Sequence, residues 1–156
     1  MRASCTSRVL SDWAVTVPEL GTIRAVTPPI AIITSNRTRD VHDALKRRCL
    51  YHWIDHPDLE REVAIVRTRL PDVTERLARQ VTVFVQAVRA LELVKPPGVA
   101  ETLDWAESLV TLGRDELRAD GLADTLGALL KYQEDQVRVA GPELGALVQA
   151  AVERGT

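Results

Sequence analysis

Residues 28–57 read PPIAIITSNRTRDVHDALKRRCLYHWIDHP, and the way apolar runs give way to polar tips here decides how the chain is expected to fold. Ile30, Ala31, Ile32 and Ile33 form a short run rich in β-branched side chains, stopped by Thr34, Ser35 and Asn36. A parallel strand covered on both faces has this pattern, and its polar tip falls at the carboxyl end, where open α/β sheets keep their ligand sites. Asp40 is placed to cap a short helix through Val41, Ala44 and Leu45, whose last turn carries Lys46, Arg47 and Arg48 at the negative end of the helix dipole. Cys49 to Ile54 is a second apolar run, predicted to return the chain to the sheet as another buried strand.

Upstream of this stretch, Ala14 to Val17 alternates, Pro18 to Gly21 carries turn chemistry and Thr22 to Val26 alternates again, which predicts a β-hairpin. Val9, Leu10 and Trp13 could be the apolar end of a helix. Downstream of Pro57 the period changes to that of helices. Asp58 is a candidate N-cap for a stripe of Val63, Val66 and Leu70 that Pro71 ends. Asp72 is the expected cap of the next helix, with Leu77, Val81, Phe84, Val88 and Leu91 inward; the β-branched cluster VTVFV lowers its helix propensity locally without interrupting the stripe. Lys95 to Gly98 form a connector. Further helices are expected at about Val99 to Leu112 with Trp105 half-buried, at Leu122 to Lys131, and at Glu143 to Glu153. The expected class is α/β and then all-α, divided into residues 1–57 and 58–156.

With 156 residues, 46% hydrophobic and 27% charged, the composition is that of a globular protein. A net charge of −2 gives no electrostatic reason for nucleic-acid binding, and a helix-turn-helix reading lacks a basic recognition face. No apolar run reaches the roughly 20 residues that span a bilayer, and MRASCTSRVL lacks the apolar core of a signal peptide, so the expectation is a cytoplasmic protein without a membrane role. Cys5 and Cys49 make no disulfide framework. Cys49, His52 and His56 are a poor ligand set on a strand, because residues three apart point to opposite faces.

The order TSN (34–36), DALKRR (43–48) and WIDHP (53–57) resembles the second half of a MoxR-type AAA+ ATPase core. The resemblance extends more weakly to KPPGVAETLDWAESL (95–109) and, in helix pattern alone, to the C-terminus. It implies a partial P-loop core, with the hairpin and two buried strands, followed by a helical lid. It implies that Asn36 is the sensor 1 amide, holding the γ-phosphate and the attacking water in line, with Thr34 and Ser35 in support. Arg48, with Arg47 as alternative or partner, takes the place of the arginine finger that acts on a neighbour's nucleotide. The same residues also read plainly as an Asx turn and as a basic helix end answering the macrodipole. At the sensor 2 position the chain departs from the family: Glu101 or Thr102 stands where an arginine is usual, and Lys95 reads either as a substitute cation or as a solvated linker lysine.

The resemblance further implies ATP and magnesium as cofactors of a complete protein, a homo-oligomeric ring that is expected to be a hexamer, and a von Willebrand factor A domain protein or metalloenzyme client as partner. No G-x-x-x-x-G-K-[ST] occurs, and no apolar strand ends in Asp-Glu, so the chain by itself is not expected to hydrolyse ATP. Its start reads as a truncation. The competing reading is a non-enzymatic helical module that binds partner helices.

Overall fold

The structure, a computed structural model, describes residues 12–28, 30–35 and 43–155, apart from the side chains of Ala44 and Leu45. The chain divides into two units, 1–54 and 55–156.

In the first unit, β1 (Ala14–Val17) and β2 (Gly21–Arg24) form an antiparallel hairpin in the register Ala14↔Arg24 to Val17↔Gly21. Gly21 opens the returning strand at φ 75°, a left-handed value that costs glycine little. The Leu20 N–H donates to Val17 O at 3.1 Å to close the turn, and the Thr16 and Thr22 hydroxyls meet across the strands at 3.0 Å. α1 (Asp43–Lys46) is a single turn. The expected caps and first-turn residues Asp40 and Val41 lie outside the described residues, as do Val9 and Leu10.

The two buried strands expected at 30–33 and 49–54 are not present. Neither segment forms a strand, and Ile30 is 95% and Leu50 104% exposed. The physical reason is that such a strand takes its ladder bonds and its cover from neighbouring strands and helices, and the sheet among the described residues is the two-stranded hairpin.

The second unit is helical. α2 (Leu59–Arg69) starts at Asp58, whose Oδ1 accepts the Arg61 N–H at 2.9 Å. α3 (Glu75–Arg89) is the central element: Leu77, Ala78, Val81, Phe84, Val85 and Val88 are fully enclosed, with α2, α4 (Val99–Thr111) and α7 (Leu144–Arg154) packed around it. Residues 80–85 are buried without a break, as a helix surrounded on all sides requires. Burial there outweighs the weak helix propensity of VTVFV. Thr82 satisfies its own hydroxyl by donating to Ala78 O at 2.8 Å.

Three boundaries differ from expectation. Thr74, not Asp72, caps α3: its Oγ1 accepts the Leu77 N–H at 3.1 Å, because residues 71–73 first make a turn that buries Val73. The helix expected from Leu122 to Lys131 divides into a 3₁₀ turn (Ala123–Thr125) and the single turn α5 (Leu126–Leu129), an arrangement that buries Leu122, Leu126, Leu129 and Leu130 together. α6 (Gln133–Val139) was not legible, since Val139 is its one buried apolar residue. Among the described residues no helix is long and apolar enough to cross a membrane.

Candidate functional site

The first candidate site is the basic end of α1. Lys46, Arg47 and Arg48 are all exposed. Lys46 Nζ lies 3.6 Å from Asp43 Oδ1 on the preceding turn, and the Arg47 N–H closes the helix on Asp43 O at 3.1 Å. The short helix thus delivers two guanidinium groups at one exposed turn. Thr34 and Ser35 are exposed as well, while Asn36 lies outside the described residues. After the arginines the chain has no regular secondary structure, and the rings of Tyr51 and Trp53 lie 5.9 Å apart. Cys49 is a half-buried free thiol, and among the described residues no group of three His, Cys, Asp or Glu is placed to hold a metal.

The second candidate lies in the helical unit, where α4 begins. Lys95 is exposed, with its Nζ 3.6 Å from Glu101 Oε1, while the Val94 and Lys95 N–H groups donate to the buried Asp135 carboxylate at 2.8 and 3.1 Å. Glu101 reaches back one turn to accept the Gly98 N–H at 3.1 Å, and a Cβ on residue 98 would stand only 2.9 Å from that carboxylate. Burial pushes the Glu101 carboxyl upward. The backbone N–H groups of Glu101 and Gly98, with the charge of Lys95, outweigh burial and leave it below the ordinary carboxylate value. Lys95, in the connector, is therefore paired with a carboxylate in the first turn of the following helix.

Thr102, the other residue at that position, faces inward. It joins a buried ion pair that sequence reasoning missed: Arg89 donates from Nη1 and Nη2 to the two oxygens of Glu62, both at 2.7 Å, and from Nε to Pro97 O at 2.7 Å. Arg89 Nη2 also donates to Thr102 Oγ1 at 3.1 Å, and the Thr102 hydroxyl lies 3.1 Å from Glu62 Oε1 and 3.0 Å from Gly98 O. The network ties α2, α3 and the start of α4. The one available signal was an arginine ending a helix whose middle is largely apolar. The outer face of the same helices carries Arg79 bidentate to Glu60 at 2.7 and 2.8 Å; that hydrogen bonding, opposed by slight desolvation and helped by the charge, lowers the Glu60 carboxyl.

Compared with family models, with curated proteins and with solved structures, the chain matches none.

Proposed function

We propose that this chain is the arginine-finger and lid portion of a MoxR-type AAA+ ATPase, which in complete form couples ATP hydrolysis to chaperone-like remodelling of a partner protein or to maturation of a metal cofactor. One observation carries the reading: the order Thr34-Ser35-Asn36, the basic turn Lys46 to Arg48, and the exit Trp53 to Pro57, followed at once by a self-contained helical unit. The exposed end of α1 suits a guanidinium that must reach a phosphate bound elsewhere. Arg48 would offset charge developing on the transferring γ-phosphoryl group of a neighbouring subunit, Arg47 would support it, and Asn36 would hold the attacking water by its amide.

ATP and magnesium are gripped in this chemistry by a phosphate-binding loop and a metal carboxylate, and this sequence offers neither. The chain's own contribution is positional. The lid would contact nucleotide weakly, because Glu101 occupies Lys95 and Thr102 is turned inward. The partners fitting this reading are further copies in a ring, expected to be a hexamer, and a von Willebrand factor A domain protein or metalloenzyme client.

The test has two parts. The purified chain with magnesium and ATP should show no turnover above background. In a covalent fusion to a segment carrying a phosphate-binding loop, Arg48→Ala should lower turnover by about 10³-fold or more while leaving ATP affinity unchanged; loss of binding with turnover per bound nucleotide intact would remove the finger role. The second reading, a helical interaction module, is favoured by the completeness of the α2 to α7 core, and it predicts no effect of Arg48 on any nucleotide reaction.

A further inference from the structure

Helix α6 is attached to the helical unit at few points. Asp135 and Val139 are its two buried residues, while Glu134, Val137 and Arg138 are exposed. Gln136 donates its amide to Leu130 O at 2.8 Å, just before the helix. The backbone is extended at Leu130 and Tyr132 on one side, and Gly141 and Pro142 follow on the other, so breaks bracket the element. Its N-cap Tyr132 makes no side-chain capping bond. Seven residues are too few to hold a helix unaided, and two buried side chains supply little of what is missing.

Asp135 reaches across to the connector between α3 and α4, about forty residues earlier in the chain, where its carboxylate accepts the Val94 and Lys95 N–H groups at 2.8 and 3.1 Å. It is 2% exposed, and among the described residues its hydrogen bonds come from those two groups. A buried carboxylate stripped of donors is costly, so the connector turn cannot leave while α6 stays closed, and α6 cannot lift without breaking both bonds. The neighbouring chain is anchored separately. Arg89 Nε holds Pro97 O at 2.7 Å, Glu101 holds the Gly98 N–H at 3.1 Å, and α7 is fixed by its buried Val148 and Ala151. Opening therefore has a limit on either side.

We propose that α6 is a latch over this connector: residues 131–141 and the 94–95 turn open and close as one unit, with Asp135 as the catch, while α2, α3, α4 and α7 remain folded. Opening frees two adjacent backbone N–H groups beside the Lys95 side chain and uncovers Val139. A ligand or partner that holds one of the two states shifts the balance by the difference in its affinity for them. The latch uses neither Arg48 nor nucleotide, so its fate is separate from that of the ATPase reading.

Native-state hydrogen exchange of the full chain, resolved by residue, tests it. The Val94 and Lys95 amides should share one protection factor with Gln136 to Ala140, within about threefold, and it should lie at least about 100-fold below that of Val81 to Val85. Gln136→Gly weakens α6 at a residue whose hydrogen bond goes to Leu130; it should nonetheless lower protection at Val94 and Lys95 by the same factor as in α6. Val85→Ala, in the middle of α3, should lower protection throughout α3 and leave the latch amides within about threefold. Asp135→Ala should leave Val94 and Lys95 with almost none. Connector amides that ignore Gln136→Gly, or that keep their protection in Asp135→Ala, overturn the proposal. So does a Val85→Ala chain in which latch and α3 amides fall together, because the latch would then open only with the whole unit.

Discussion

At the scale of single residues, the informative group is Arg89. Its side chain is 9% exposed and that of its partner Glu62 is 0%, so the pair is held by geometry: two parallel N–H donors on one carboxylate, with Pro97 O and the Thr102 hydroxyl taking up remaining capacity. A buried pair of this kind adds little net stability relative to apolar replacements, but removing one partner strands a charge. Arg89→Met is therefore expected to destabilise the helical unit by about 3–5 kcal/mol, read from urea unfolding, and Glu62→Met/Arg89→Met should recover most of that loss. Recovery that fails would mean the pair stabilises the fold outright. Trp105 makes a different point. Its ring packs on Phe84 with centroids 5.0 Å apart, and its Nε1–H donates to Thr125 Oγ1 at 2.8 Å. Trp105→Ala should cost about 3–5 kcal/mol, whereas Trp105→Phe should retain most of the packing.

At the scale of elements, the start of α4 links titration to stability. The Glu101 carboxyl is lowered in the folded chain, so the unfolded state binds the proton more tightly. Its contribution is present above the unfolded carboxylate value of about 4.3 and is lost as pH falls through the lower folded value. Glu101→Gln should flatten the fall in melting temperature below about pH 4.3 and lower stability near neutrality, as measured by thermal melts from pH 3 to 7. Gly98→Ala should also weaken this helix start, because the added methyl would press on Glu101 Oε2. Caps were partly legible: Asp58 sits where its type and the following stripe place it, while Thr74 displaced Asp72 because Val73 is drawn into the core first. Choosing between two neighbouring capping residues requires knowing which intervening side chain is buried.

At the scale of the whole molecule, the helical unit contains a continuous core from Val63 to Ala151 and accounts for its own polar groups almost completely; Gln80 Nε2 has no hydrogen-bond partner among the described residues, while its Oε1 accepts the Leu117 N–H at 2.7 Å. A polypeptide of residues 55–156 should therefore fold alone with a cooperative urea transition and the helical circular dichroism of that part of the chain. A gradual, non-cooperative transition would show that the first unit is needed to complete the core. Residues 1–54 have no comparable core among those described, and their exposed Ile30, Ile32, Leu50 and Ile54 call for cover that the hairpin cannot supply.

Local chemistry was enough to place the hairpin and the stripes of α2, α3, α4 and α7, because alternation, turn residues and the 3.6-residue period act between neighbours in the chain. The tertiary structure alone decided that Glu62 closes on Arg89, that Trp105 is wholly enclosed, that Asp135 caps a connector forty residues away, and that the apolar runs at 30–33 and 49–54 are not strands. Each of these depends on which distant groups arrive alongside: a buried charge needs its counter-charge, an indole needs its pocket, and an extended apolar segment becomes a strand only when other strands bond its backbone and cover its faces.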